Sequence, residues 1–324
     1  MSRCIVAISG DLGSGKSTVA RLVAAELDMK VYSTGDMQRA LAAELGMTSL
    51  ELNKLAETDP SIDERIDGST VQIARDGDRV LFDSRLAWHF VPDSFKVFLT
   101  VDPRLGVERI FSAGRGHVEQ YGSMEEAAVK INERRASENK RYAELYGVSP
   151  ERLENYDVVI DTSQAGPETV AGLLSQAAGA WMARRAFPKI WLSPRTPFPT
   201  RSIHDGAIEQ PRWDIPGAVS RDGLQPDPDC PPVRLARVGR YYYLCDGRQA
   251  ASTLITAGVP FMPGIVEMAD EDPAPGGGTA ASFVAREATA ERAHAWEEAH
   301  QFRYPSYPPH FDRDAQPYPK SPPR

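Results

Sequence analysis

The sequence predicts an α/β protein: a parallel sheet flanked by helices with a helical lid, followed by a smaller, proline-rich α+β C-terminal domain. Three observations carry this prediction. Short β-branched runs alternate with amphipathic segments before Phe187, the pattern of a parallel sheet covered on both faces. A glycine-rich loop joins the first such run to the first helical segment. Of 26 prolines in 324 residues, only five precede Phe187 and 21 follow it.

Arg3–Ser9 reads as a buried strand, too short and too β-branched for a helix. Ser17–Leu27 carries Val19, Ala20, Leu22, Val23 and Leu27 at helical spacing. Lys30–Ser33 is a second strand; Gly35–Leu45, Leu50–Ala56 and Ile62–Arg75 are helices. Val80–Phe82 and Lys96–Val101 are apolar runs suited to a sheet buried on both sides. Arg104–Phe111 opens a helix, Met124–Tyr146 is a long charged one, Tyr156–Asp161 a last strand, and Pro167–Arg185 a closing alanine-rich helix.

Beyond Arg185 the texture changes. Phe187–Pro232 reads as loop, because its prolines forbid long helices and central strands. Strands follow at Val233–Val238 and Tyr241–Cys245, a helix at Arg248–Ala257, and a short extended segment at Pro260–Val266. Gly276–Gly278 reads as a flexible break before one polar helix, Thr279–Phe302. Tyr304–Arg324 holds seven prolines and reads as an extended or disordered tail. The expected domains are 1–186, 187–275 and a terminal 276–324.

With 41% hydrophobic and 25% charged residues, the chain is globular rather than disordered. Its net charge of −8 argues against a protein that coats nucleic acid or an anionic membrane. No apolar run is long enough to span a bilayer. Cys4, Cys230 and Cys245 form neither a metal-ligand spacing nor a disulfide framework, which fits a reducing, cytoplasmic setting.

Gly10-Asp11-Leu12-Gly13-Ser14-Gly15-Lys16-Ser17, continuing into Thr18, fits G-x-x-x-x-G-K-[ST] between a strand and a helix. Glycines here let backbone N–H groups converge on phosphate oxygens, and the following helix adds its N-terminal dipole. Gly10, Gly13, Ser14, Gly15, Lys16, Ser17 and Thr18 are therefore the expected nucleotide-binding residues. Lys16 reaches the β- and γ-phosphates of ATP, and the Ser17 hydroxyl ligates Mg²⁺. Asp83, ending a hydrophobic strand, is placed to hold Mg²⁺ through water, and Arg85 to grip an acceptor phosphate; a strand-end ion pair between the two is the plainer alternative. Arg109, Arg115, Arg134, Arg135 and Arg141 lie on a helix–loop–helix that suits a mobile lid. Pairing with neighbouring glutamates such as Glu138 explains any one of them equally well.

These residues resemble the cytidylate kinases, particularly the short archaeal-type form, almost continuously through SGDLGSGKSTVARLVAAELDMKVYSTGDMQR, LNKLAETDPSIDERID, VLFDSRLAWHFVPDSFKVFLTVDP and INERRASENKRYAELYGV. The resemblance implies transfer of phosphate from ATP, with Mg²⁺, to CMP or dCMP. It also implies that Arg39 binds the acceptor phosphate, that Thr34 and Gly35 shape the nucleotide site, and that Asp63 lies in the acceptor-binding helices. Arg134, Ser137, Arg141 and Tyr142 match the lid pattern. Two places depart from it: Ser84 stands where the family has glycine before Arg85, and His89-Phe90 replaces differently shaped residues beside Trp88. Both departures are expected along the acceptor wall, which leaves open a kinase for a modified pyrimidine nucleotide or another small acceptor.

In the second part, the segments around Pro232–Leu235, Arg240–Ala251 and Ala257–Phe261 resemble the ParB/sulfiredoxin-like fold. That resemblance implies a phosphate- or nucleotide-binding turn at Asp246–Arg248, or else a module used for packing or for a protein partner. A nucleotide-gated DNA- or partner-binding protein is the remaining reading.

Overall fold

The computed structural model describes residues 3–56, 58–113, 121–200 and 232–311. The chain divides into two compact units. One comprises Met1–Val101, Gly106–Ile160 and Gly166–Phe187; the other comprises Pro188–Arg324 with Asp102–Leu105 and Asp161–Ala165.

In the first unit the strands are β1 (Cys4–Gly10), β2 (Lys30–Ser33), β3 (Arg79–Asp83), β4 (Phe95–Thr100) and β5 (Val158–Asp161), in the order β2-β3-β1-β4-β5. β1 pairs in parallel with β3 and β4, and β2 in parallel with β3. Every residue of β1 is buried, as a central strand covered on both faces requires. Helix α1 (Lys16–Glu26) packs against β3 and α8 (Pro167–Met182). Helices α2 (Thr34–Glu44), α3 (Ser49–Ala56) and α4 (Ser61–Asp76) enclose a small core of Leu41, Leu52, Ile62 and Ile66.

The one-turn helix α5 (Ala87–Phe90) follows a side-chain turn in which the buried Ser84 hydroxyl accepts from the N–H groups of Leu86 and Ala87. α6 spans Pro103–Ser112 and the long helix α7 Met124–Tyr146. α7 keeps its predicted limits because its ends are chemically marked. Ser123 accepts from the Glu126 N–H, and Gly147 closes the helix at φ +66°.

In the second unit the strands are β6 (Ile190–Leu192), β7 (Phe198–Pro199), β8 (Val233–Val238), β9 (Tyr241–Asp246) and β10 (Met262–Ala269), in the order β6-β10-β8-β9-β7. The sheet is mixed: β10 is antiparallel to β6 and parallel to β8, β8 is antiparallel to β9, and β7 is parallel to β9. Trp191, Leu235, Tyr243, Leu254 and Phe261 are fully buried. Helix α9 spans Arg248–Thr256, and α10 (Ala280–Glu287) lies against β8 and β10.

Three expectations are corrected in this unit. The proline-rich stretch after Phe187 contains strands β6 and β7; β7 tolerates Pro199 because it is the last strand in the order. The predicted single helix Thr279–Phe302 is two, α10 and α11 (Ala290–His300), each with its own threonine cap: Thr279 in a capping box with Ser282, and Thr289 accepting from the Arg292 N–H. The break at Gly276–Gly278 is a hydrogen-bonded turn, with the Ala274 N–H donating to Gly278 O and Pro273 bridged to Thr279.

In the tail expected to be extended or disordered, Tyr304–Pro308 forms no helix or strand, a single 3-10 turn follows at Pro309–Phe311, and the segment is held in place by side chains; residues 312–324 lie outside the described residues. The anchor is Glu297, fully buried on α11. Its Oε1 accepts from the Tyr304 N–H and the Tyr307 hydroxyl, both at 2.7 Å, and Arg303 reaches its Oε2. The Tyr304 ring stacks on Phe198 at 4.1 Å. α10, α11 and Tyr304–Phe311 thus pack with the strands of this unit.

Glu297→Ala leaves a buried N–H and a phenol without an acceptor, at about 1–3 kcal/mol each. Urea denaturation is expected to show that loss of stability, and amide exchange to accelerate over 302–311. Wild-type protection there would contradict the anchoring role.

Candidate active site

The loop after β1 owes its shape to two close backbone approaches. Gly10 lies at φ +148°, where a Cβ would stand 2.3 Å from the Leu99 carbonyl; Gly13 lies at φ +80°, where a Cβ would stand 2.2 Å from that of Gly106. No side chain fits at either position. Gly15, at φ +80° as the cap of α1, opens onto free space, so it is the glycine that clears room for a ligand. Ser14 is buried, and its hydroxyl donates to Asp11 O at 2.8 Å. It therefore braces the loop instead of facing the cavity.

That cavity, about 510 Å³, is lined by Gly13, Gly15, Lys16, Ser17 and Thr18 from the loop and α1. Lys16 Nζ donates to the carbonyls of Gly10 (3.1 Å) and Asp11 (3.2 Å). Burial, helped by the Arg85 charge and opposed by Asp83 and Asp11, pushes its ammonium down to about 8. The Ser17 hydroxyl donates to Asp83 Oδ2 at 2.5 Å. The parallel register that places Asp83 beside Ile8 of β1 brings this carboxylate to the mouth of the loop. One hydroxyl and one carboxylate oxygen are the donors a hard divalent cation takes, so this pair fits a Mg²⁺ site.

The predicted arginines separate. Arg85 and Arg134 line the cavity, and both are held by Glu138, whose side chain is 6% exposed: Arg85 Nη1 pairs with Oε2, and Arg134 Nε meets Oε1 at 3.0 Å. Burial lowers the Arg85 guanidinium to about 10, leaving it charged at neutral pH. Arg135 turns away from the cavity to Asp11, at 2.8 Å, and to Glu151. Arg141 does not line the cavity; it is 5% exposed, with Nε 2.9 Å from Asp63 Oδ2. Arg115 lies outside the described residues.

On the acceptor side, Thr34, Gly35, Arg39 and Asp63 all line the cavity. Arg39 is half exposed and paired with Asp36, and the Thr34 hydroxyl lies 3.5 Å from Asp83 O. Ser84 lines the cavity while its hydroxyl accepts from the Ala87 N–H. The expectation that His89 and Phe90 form part of the acceptor wall is corrected: they pack edge-on to each other and against Tyr146, and neither lines the cavity. In the second unit the Asp246 carboxylate accepts from the Gly247 N–H, and Arg248 donates to the Thr200 carbonyl, so both side chains of the predicted phosphate turn serve local structure.

Three residues at the site carry more than the sequence showed. Glu138 could be found as the i+4 partner of Arg134, but its bridge to Arg85 depends on the fold. Asp11, in the second position of the loop motif, accepts from the Thr100 hydroxyl and the Val101 N–H. Asp67 lines the cavity one turn beyond Asp63 and accepts a hydrogen bond from the Tyr146 hydroxyl.

A glycine loop opening a helix, a lysine and four arginines on one cavity, and a hydroxyl–carboxylate pair lining it define a P-loop phosphotransferase. Residues 5–164 match the model of the cytidylate kinase-like family. Cytidylate kinases from Pyrobaculum neutrophilum (37% identity over 160 residues, 49% of this chain and 84% of that one), Ignicoccus hospitalis (40% over 167, 51% and 94%) and Methanococcoides burtonii (34% over 177, 54% and 97%) are similar to it. A shikimate kinase from Bacteroides thetaiotaomicron superposes with a TM-score of 0.40 at 14% identity, covering 56% of this chain and 99% of that one, a likeness too loose to argue from. The chain belongs to the cytidylate kinase-like family: it is a nucleoside monophosphate kinase.

An anionic phosphate beside Lys16 favours its charged form and returns its pKa toward the ordinary lysine value. At about pH 8.5, where the free protein holds much of Lys16 neutral, nucleotide binding is therefore expected to take up a proton. Near pH 6.5, where Lys16 is already charged, that uptake disappears, and affinity falls as pH rises through about 8. Titration calorimetry in buffers of different ionisation enthalpy measures this; equal proton uptake at both pH values would count against the role of Lys16.

Proposed function

We propose that the protein transfers the γ-phosphoryl group of ATP to CMP or dCMP in a Mg²⁺-dependent reaction, giving ADP and CDP or dCDP. The observation that carries this reading is the convergence of Lys16, Arg85 and Arg134 on one cavity with the Ser17–Asp83 pair lining it. In the reaction an oxygen of the acceptor phosphate bonds to the γ-phosphorus, and the bond from that phosphorus to the β–γ bridging oxygen breaks. Positioning and charge neutralisation account for most of the acceleration in such a transfer.

In this reading Lys16 leaves the loop carbonyls for the β- and γ-phosphates. Arg85, anchored after β3, takes the acceptor phosphate, and Arg134 on α7 covers the moving group. Ser17 and Asp83 would hold Mg²⁺, which when bound neutralises charge on the β- and γ-phosphates. Arg39, on α2, adds a cation on the acceptor side. Arg141 has a supporting role, compensating Asp63 within the acceptor wall. The second unit is accessory to this chemistry: Asp246 and Arg248 are engaged locally, and the family match ends at residue 164. Among the described residues no helix is long and apolar enough to cross a membrane.

ADP release measured with CMP, dCMP, UMP or no acceptor tests the reading. Turnover is expected with CMP or dCMP, to be lost on chelation of divalent cations and restored by Mg²⁺. Lys16→Ala is expected to lower kcat by at least about 100-fold, the scale of removing one preorganised charge contact. Arg85→Ala is expected to raise the KM for the acceptor more than that for ATP. Turnover of no pyrimidine monophosphate by the wild-type protein would sink this assignment.

A further inference from the structure

The cavity is lined by charges of both signs. Lys16, Arg21, Arg39, Arg85 and Arg134 are its cations; Asp36, Asp83 and Glu138 stand among them, and α4 contributes two further carboxylates one turn apart, Asp63 and Asp67. Those two are not equivalent. Asp63 is nearly buried and compensated by Arg141 at 2.9 Å. Asp67 has its Oδ2 bonded by the Tyr146 hydroxyl, and among the described residues its Oδ1 accepts no hydrogen bond.

We propose that Asp67, oriented by Tyr146, selects an acceptor base bearing an amino group and rejects one bearing a carbonyl at the same position. This rests on the acceptor reading above: with the acceptor phosphate on Arg85, the base reaches toward α4, whose Ile66 and Asp67 line the same cavity. An ionised carboxylate only accepts hydrogen bonds. The exocyclic amino group of cytosine donates one; the corresponding carbonyl of uracil cannot, and its oxygen faces the carboxylate as a like partial charge. In a half-buried site the mismatch leaves both groups unpaired, which makes such a contact more discriminating than apolar fit.

Burial, with Asp63 nearby, raises the Asp67 carboxyl to about 6 against the lowering effect of the Tyr146 hydrogen bond, so it is mainly ionised at neutral pH. The geometry also gives His89 and Phe90 a purpose. Their rings lie 6.0 and 5.2 Å from that of Tyr146, Phe90 perpendicular to it, and they fix the phenol that aims Asp67. The family departure at these positions thus bears on the base through Tyr146.

The test compares kcat/KM for CMP and UMP at saturating ATP in wild type, Asp67→Asn and Tyr146→Phe. An amide at position 67 can donate to the uracil carbonyl, so the CMP:UMP ratio is expected to fall at least about 10-fold in Asp67→Asn. The change should lie mainly in acceptor KM, with the KM for ATP unmoved. Tyr146→Phe is expected to shift the ratio the same way by less, and it decides the matter alone if Asp67→Asn does not fold. An unchanged ratio, with turnover of both acceptors falling together, would make Asp67 merely structural and overturn the proposal. A wild type that turns over neither pyrimidine overturns the acceptor reading itself, and the base contact with it, a result distinct from turnover with an unaltered ratio.

Discussion

The buried carboxylate of Asp11 is the contact on which the site depends. It sits in the phosphate loop, accepts from the Thr100 hydroxyl and the Val101 N–H at the end of β4, and pairs with Arg135 of α7. Loop, sheet and lid helix therefore share one group. The ion pair is almost fully buried, and its worth lies in geometry more than in net stability, since desolvation offsets much of its Coulombic gain. Around it, Gly10 and Gly13 let the loop backbone press against Leu99 and Gly106, so the direction of α1, and with it the position of Lys16, follows from contacts that leave no alternative.

A cavity lined by several cations is electrostatically costly until phosphates fill it. Glu138 meets part of that cost by pairing with Arg85 and Arg134 together, and the lysine turns onto its own loop carbonyls. The lowered pKa values of Lys16 and Arg85 express the same strain: both would hold their protons more tightly beside an anion. Pre-placed cations of this kind are what phosphoryl transfer uses, because little reorganisation remains when the ligand arrives.

The second unit answers a different constraint. Its strands pair through the backbone, whereas Tyr304–Phe311, whose prolines offer no N–H, is held by side chains: the aromatic group around Phe198, Tyr304 and Tyr307, and the Glu297 carboxylate of α11. That is why proline content alone did not show how Tyr304–Phe311 is held. Composition reports what the backbone cannot do, not what tyrosines will bury.

Much of the fold was legible because its signals are local. The glycine loop, the strand–helix alternation and both ends of α7 are set by residues within a few positions of one another, and the same local chemistry singled out Lys16, Ser17 and Asp83 as candidates, all of which line one cavity. The fate of the arginines was not legible. Arg134, Arg135 and Arg141 share one helix and one sequence signature, yet one faces the cavity, one binds Asp11 at 124 residues' separation and one is sealed against Asp63. Which side chain reaches which partner depends on the face of α7 it occupies and on carboxylates delivered by distant elements. The sequence by itself determined the strand–glycine loop–helix unit and the α/β class; only the tertiary structure decided which charges meet in the cavity, because pairing is a property of positions in space.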